Sequence, residues 1–189
     1  MNKIVFVSGK DYSKMVDGCL MLDKSVYELK YVGRKEFYDK AHQSRPENFI
    51  FAIDVSNGKL AGYILATPIS KDIYEKMRTG NFIDTELIKS NDILNLSEIE
   101  DNYMYIYSLV VSPGYQGSGI SKDLVSEFFE SIDNLDEDYK INSILADTIN
   151  PKVFGNVSRY GFAPIEVTNH ESVLMEKIYL KDDYIEMIG

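Results

Sequence analysis

The chain has 189 residues, 44% hydrophobic and 12% aromatic, with a formal net charge of −10. That size fits one domain spanning 1–189 with its own core, and the composition excludes a disordered chain. The acidic balance argues against a nucleic-acid partner, which needs clustered Lys and Arg. No apolar run approaches the ~20 residues of a membrane helix, so no membrane partner is expected. The N-terminus reads as a first strand and has no signal-peptide pattern, so a cytoplasmic location is expected. One cysteine and two histidines leave little material for a disulfide framework, a zinc hydrolase or a Ser-His-Asp enzyme. No metal is expected. Cys19, within GCLML, reads as a buried structural residue. His42 and His170, in HQSR and TNHES, read as surface residues.

In chain order, residues 3–8 pattern as a short strand. Asp11 can cap a helix carrying Met15, Cys19 and Leu22 at helical spacing, and a second helix comes near 34–43. Pro46 ends this helical region. Phe49–Val55 and Lys59–Thr67 are two strands joined through Ser56-Asn57-Gly58, and an Asn-Gly pair is a strong hairpin signal. Lys71–Gly80 reads as a helix closed by its glycine. Beyond Gly80 the chain turns polar and acidic. The stretch 71–102 is therefore expected to be an insertion or lid, too short to bury a core of its own.

Tyr103–Ser112 is aromatic and β-branched and apolar on both faces, which predicts a central strand. A Gly-rich turn leads into a helix with Ile120, Leu124, Phe128 and Ile132 on one stripe. Asn142–Ile149 is another strand, Pro151–Tyr160 a short helix, and Phe162–Thr168 with Ser172–Leu180 a last pair of strands. The order is mixed α/β: hairpins at both ends and a β-α-β unit between them.

The segment from Ser112 to Lys122 lies between that central strand and the start of a helix. Glycines let a backbone approach a ligand, and the first amides of a helix have no partner within it. With the helix dipole, they make an anion site that even an acidic protein can use for a pyrophosphate. A phosphotransferase loop has the spacing of Gly114 and Gly119, but Ile120 stands where its lysine is needed. A dinucleotide fingerprint matches Gly117 and Gly119, with Lys122 in the third place.

Leu109-Val110-Val111-Ser112-Pro113-Gly114-Tyr115-Gln116-Gly117-Ser118-Gly119-Ile120-Ser121 resembles the acetyl-CoA motif of the GNAT superfamily, with Ser121 where Gly or Ala is usual. Asn150, Val153, Gly161 and Phe162 fall at the places of a second family motif, and Lys59–Tyr63 resembles the family's third strand. The resemblance implies a central mixed, mostly antiparallel sheet flanked by helices. It also implies an N-acetyltransferase that uses acetyl-CoA as cosubstrate and transfers directly to an amine in a ternary complex. Pantetheine would lie beside Leu109, Val110 and Val111, and the pyrophosphate on Gln116, Gly117, Ser118, Gly119, Ile120 and Ser121. Asn150 and Val157 would complete the cofactor site. Val157 occupies the slot where many relatives carry a tyrosine that protonates the departing thiolate.

An amine must lose a proton before it attacks. Tyr105 and Tyr107 on the central strand are the candidate catalytic residues, with Glu98, Glu100 and Asp101 just before it. The charge and the acidic 71–102 stretch point to a small or flexible cationic primary amine, or a lysine side chain of a peptide, as acceptor. The missing tyrosine keeps open a non-catalytic module that binds acyl-CoA as a regulatory ligand. The oligomeric state, monomer or homodimer, is not legible.

Overall fold

The computed structural model describes residues 3–11, 13–96, 101–135, 139–148, 155 and 157–179. Among the described residues, β-branched and aromatic runs build seven strands: β1 (Ile4–Ser8), β2 (Phe49–Asp54), β3 (Lys59–Ile69), β4 (Asn102–Val111), β5 (Ile141–Thr148), β6 (Ala163–Val167) and β7 (Val173–Ile178). They form one sheet in the order β1-β2-β3-β4-β5-β7-β6. β4 and β5 run parallel, and the other neighbouring pairs antiparallel. The sheet is mixed and mostly antiparallel, as the resemblance implies.

Helices cover both faces. One face carries α1 (Val16–Val26), α2 (Lys35–Ser44) and α3 (Lys71–Arg78), through Cys19, Leu22, Phe37, Ala41, Ile73 and Met77. The other carries α5 (Ile120–Asp133), whose predicted stripe is buried together with Val125 and Phe129. Between α3 and β4 lies the short α4 (Asp84–Leu87). The surrounding stretch is packed, because its scattered apolar residues Phe82, Ile88, Ile93 and Leu96 are all buried. Asp11 does not cap α1. A 3-10 turn at Ser13–Met15 leads into the helix, so the chain enters it already wound and its first amides need no side-chain acceptor.

Two irregularities shape the middle of the sheet. Against β3, Leu65 pairs with Ser108 and Ala66 with Ile106, so Tyr107 is left over as a bulge on β4. Against β5, the pairing of β4 ends at Ile106 and Ala146. β4 nevertheless continues to Val111, while Asp147 and Thr148 of β5 continue along β7. The two parallel strands therefore splay apart, and the Tyr107 bulge sits at the apex of the opening.

Candidate active site

On the α5 side of the opening lies the Gly-rich turn. Pro113–Tyr115 form a 3-10 turn, and Gly117 and Gly119 come next with φ of 79° and 92°. Those left-handed values suit glycine, and a Cβ built on either would meet nothing within 4 Å. The turn thus presents open backbone at the head of a 14-residue helix, a cradle that fits a pyrophosphate. It is anchored from below: the Tyr115 hydroxyl donates to Asp54 at 2.8 Å, and Asn57 Nδ2 donates to Tyr115 at 3.3 Å. Gly62 on β3 brings the two strands together here, since a Cβ there would lie 2.7 Å from the Val110 carbonyl.

The strand edge in the opening is polar. The Ser112 amide donates to Ala61 of β3 at 2.8 Å, and alternation along the antiparallel pair then turns Leu109 and Val111 the other way. Their carbonyls accept instead from the Tyr27 hydroxyl, at 3.2 Å, and from Gln116 Nε2, at 3.3 Å. Backbone donors and acceptors of β4 thus line an opening wide enough to leave them without a β5 partner, which suits the amide groups of pantetheine.

On the opposite face, the same apex meets a narrow cleft lined by Tyr27, Tyr31, Asp84, Tyr105, Tyr107, Asp147 and His170. Five segments build it. The chain after α1 gives Tyr27 and Tyr31, α4 gives Asp84, β4 gives the two tyrosines, β5 gives Asp147, and the β6–β7 turn gives His170. The roof is tied together. The Asn169 amide donates to the Gly80 carbonyl at 2.8 Å, and Asn169 Nδ2 donates to Asn81 Oδ1 at 2.9 Å. The His170 ring lies 5.6 Å from Tyr31 and 5.8 Å, edge-on, from Phe82.

The cleft is acidic. Asp84 Oδ2 accepts from the Tyr105 hydroxyl at 3.0 Å, and Oδ1 from the Thr85 amide at 2.7 Å. Burial, the largest cause, raises the Asp84 carboxyl to about 6, and the nearby Asp147 adds to that; the two hydrogen bonds and His170 oppose it. Asp147 has a basic partner: His170 Nε2 lies 2.7 Å from Oδ2, and the Ser172 hydroxyl donates to Oδ1. Burial and then Asp84 push the phenols of Tyr105 and Tyr107 well above their ordinary range, so both stay protonated and can donate. Beneath the β4 bulge, Asp23 is buried and accepts from Tyr38, from Tyr63 at 2.5 Å and from Ser108 at 3.3 Å. Burial raises its carboxyl to about 6 against those three bonds.

Of the residues singled out from sequence, Leu109, Val110 and Val111 lie along the splayed edge, and Gln116 to Ser121 form the turn and first helical turn. Tyr105 and Tyr107 line the cleft on the other face. Val157 is 1% exposed, packed with Phe162 in the α5-side core. Tyr160 stacks on Phe129 at 5.1 Å, as a packing residue. Asp101 pairs with Lys140 at the far end of β4, away from the apex. Asn150, Val153, Glu98 and Glu100 lie outside the described residues. Cys19 is buried, and burial pushes its thiol up. His170 is not the surface residue its polar context predicted: the β6–β7 turn folds it inward onto Asp147. Sequence reasoning did not find Asp84, Asp147, Tyr27 or Tyr31 as site residues; the apolar residues around Asp84, Phe82 and Ile88, were the available signal that its segment packs.

The sequence profile described as the acetyltransferase (GNAT) family matches residues 20–150, more than half of the chain. No curated protein matches the sequence. Among solved structures, the chain is similar to one in the NatC complex bound to Gag peptide and CoA, with TM-score 0.64 and 16% identity over 94% of this chain and 99% of that one. It is also similar to Arabidopsis thaliana NAA60 in complex with acetyl-CoA, with TM-score 0.63 and 16% identity over 93% and 98% of the two chains. A mosquito arylalkylamine N-acetyltransferase-like protein gives TM-score 0.64 and 10% identity over 94% and 100%. At these identities the likeness is one of fold.

Proposed function

The chain belongs to the acetyltransferase (GNAT) family, and from that premise we propose that it transfers an acetyl group from acetyl-CoA to a small cationic primary amine. One observation carries the reading: the splay between β4 and β5 joins a phosphate cradle on one face to an acidic, tyrosine-lined cleft on the other. Gly117, Gly119 and the first turn of α5 hold the pyrophosphate. The edge of Leu109 and Val111 orients the pantetheine and aims the thioester at the apex. The acceptor enters from the opposite face, so the two substrates meet without displacing each other, as direct transfer requires.

The cleft selects the acceptor by charge and size. Carboxylates at Asp84 and Asp147, with tyrosine faces around them, favour an ammonium group. The Tyr31–His170 contact and the Asn169 bonds to Gly80 and Asn81 narrow the approach that a polypeptide N-terminus would need. Peptides and lysine side chains are therefore poorer acceptors than short alkylamines. Tyr105 and Tyr107, held as phenols, donate hydrogen bonds in the cleft, and Val157 serves by packing.

The test is a panel of amines offered with acetyl-CoA, with release of the CoA thiol as readout. Acetylation of short alkylamines and diamines, weakening at high salt as exposed charge is screened, is the expected result. Tight acetyl-CoA binding without turnover of any amine would favour a regulatory acyl-CoA-binding module instead.

A further inference from the structure

Resting on that reading, we propose that Asp84 is the general base that takes the proton from the acceptor amine, and that Tyr105 positions its carboxylate. Family membership does not assign this base. It comes from α4, in the stretch between β3 and β4 that the sequence presents as a polar loop.

The acceptor arrives as an ammonium ion with pKa ~10, and its nitrogen has no lone pair until a proton leaves. The base must stand in the cleft, be anionic near neutral pH and have a lone pair to spare. Among the described residues, the groups facing the cleft are Tyr27, Tyr31, Tyr105, Tyr107, Asp84, Asp147 and His170. The phenols of Tyr27, Tyr105 and Tyr107 are held protonated by burial and by the carboxylates of Asp23, Asp84 and Asp147 around them. Asp147 shares its oxygens with His170 and the Ser172 hydroxyl. His170 is spent in the same network: Nε2 contacts Asp147 and Ser172, and Nδ1 lies 3.0 Å from Asn169 Oδ1.

Asp84 is different. Each of its oxygens accepts one hydrogen bond, from Tyr105 or from the Thr85 amide, and so keeps a second lone pair. Among the described residues no Lys or Arg forms an ion pair with it. Its backbone is fixed, since the Ile88 amide donates to the Asp84 carbonyl at 2.8 Å and Phe82 and Ile88 are buried on either side. Its raised carboxyl makes it a stronger base than an exposed aspartate, while it stays ionised above about pH 6.

The step balances. A proton passes from the acceptor nitrogen to an Asp84 oxygen. The freed lone pair forms the C–N bond, and the C–S bond breaks with its electron pair going to sulfur. The nitrogen gives its second proton to the departing thiolate through solvent, and Asp84 returns its proton to water as the product leaves.

The experiment uses the full chain, acetyl-CoA and the best amine of the panel. The pH profile of wild-type kcat/KM falls on the acid side near pH 6, where Asp84 protonates, and on the alkaline side as the acceptor loses its charge. In Asp84→Asn, kcat drops about 100-fold or more, the acid limb disappears, and the affinity for acetyl-CoA stays within about twofold, which reports an intact fold. Asp84→Glu recovers part of the rate. Tyr105→Phe remains active, but its acid limb moves to higher pH, because the lost hydrogen bond stabilised the carboxylate. A folded Asp84→Asn enzyme with undiminished kcat, or one that keeps the same acid limb, overturns the proposal while leaving the acetyltransferase reading standing. A wild-type protein that binds acetyl-CoA and acetylates nothing overturns that reading and this base with it.

Discussion

Tyr31 and His170 come from opposite halves of the chain, yet their rings lie 5.6 Å apart and close the cleft over Tyr105. Tyr31 belongs to the turn between α1 and α2, and His170 to the turn between β6 and β7. The Asn169 amide bond to Gly80 holds the second turn down. In the proposed reading, this roof sets how much of an acceptor the site admits.

The first prediction tests that roof. Wild-type enzyme is expected to acetylate short alkylamines at least about tenfold more efficiently than peptide N-termini, a discrimination worth about 1.4 kcal/mol. Tyr31→Ala removes one side of the contact, so the ratio should shrink toward one, chiefly by a gain on peptides. Parallel kcat/KM measurements on an alkylamine and a short peptide check this. Equal wild-type efficiency on both would show that the roof does not select.

The second prediction concerns Gly119. At φ 92° a side chain is strained by roughly 1–2 kcal/mol even though the space around it is open. Gly119→Val should also place a branched side chain where backbone and phosphate meet. We expect CoA affinity to fall about tenfold or more in a protein that still folds. Calorimetric titration with CoA reads this directly. An unchanged Kd would move the pyrophosphate away from this turn.

The third prediction concerns Val157, which the sequence resemblance assigns to the slot of the family's tyrosine and which is 1% exposed and packed in the α5-side core. Val157→Ala should cost about 1–3 kcal/mol of stability through the cavity it leaves. Activity per folded molecule should change no more than about threefold. Denaturant unfolding and turnover under saturating substrates separate the two. A large loss of kcat at unchanged stability would give Val157 a direct part in the chemistry.

The Gly-rich cradle and the acidic cleft differ in how far the sequence foretells them. The cradle is local: a both-sides-apolar strand, a Gly-rich turn and an amphipathic stripe from Ile120 to Ile132 stand in one continuous run, so periodicity and turn chemistry suffice. The cleft is assembled from five segments, and no spacing links Asp84 to Asp147 or His170. His170 sits among polar neighbours and Asp84 in an acidic stretch, both of which pattern as solvated surface. The sheet's register and the burial of Phe82 and Ile88 turn them inward. The splay itself is a tertiary feature, because β5 leaves β4 after Ala146 while remaining paired with β7 to Thr148.

The fourth prediction rests on Asp23, 2% exposed beneath the β4 bulge and the acceptor of hydroxyl hydrogen bonds from Tyr38, Tyr63 and Ser108. Burial outweighs those bonds and raises its carboxyl to about 6, against about 3.9 for an unfolded aspartate. Folding therefore favours the protonated form. The resulting stability is fully present below about pH 4 and is lost as pH rises through about 6. Asp23→Asn carries no titrating group, so its stability should lack this component. Relative to that variant, wild type should gain stability as pH falls from 7 to about 4, by at most about 3 kcal/mol. Denaturant unfolding of both proteins across that range, with the difference taken at each pH, removes the contribution of every other carboxylate. A difference that stays flat, or that grows toward alkaline pH, would mean that the three hydroxyl bonds outweigh burial and that Asp23 is ionised at no cost to the fold.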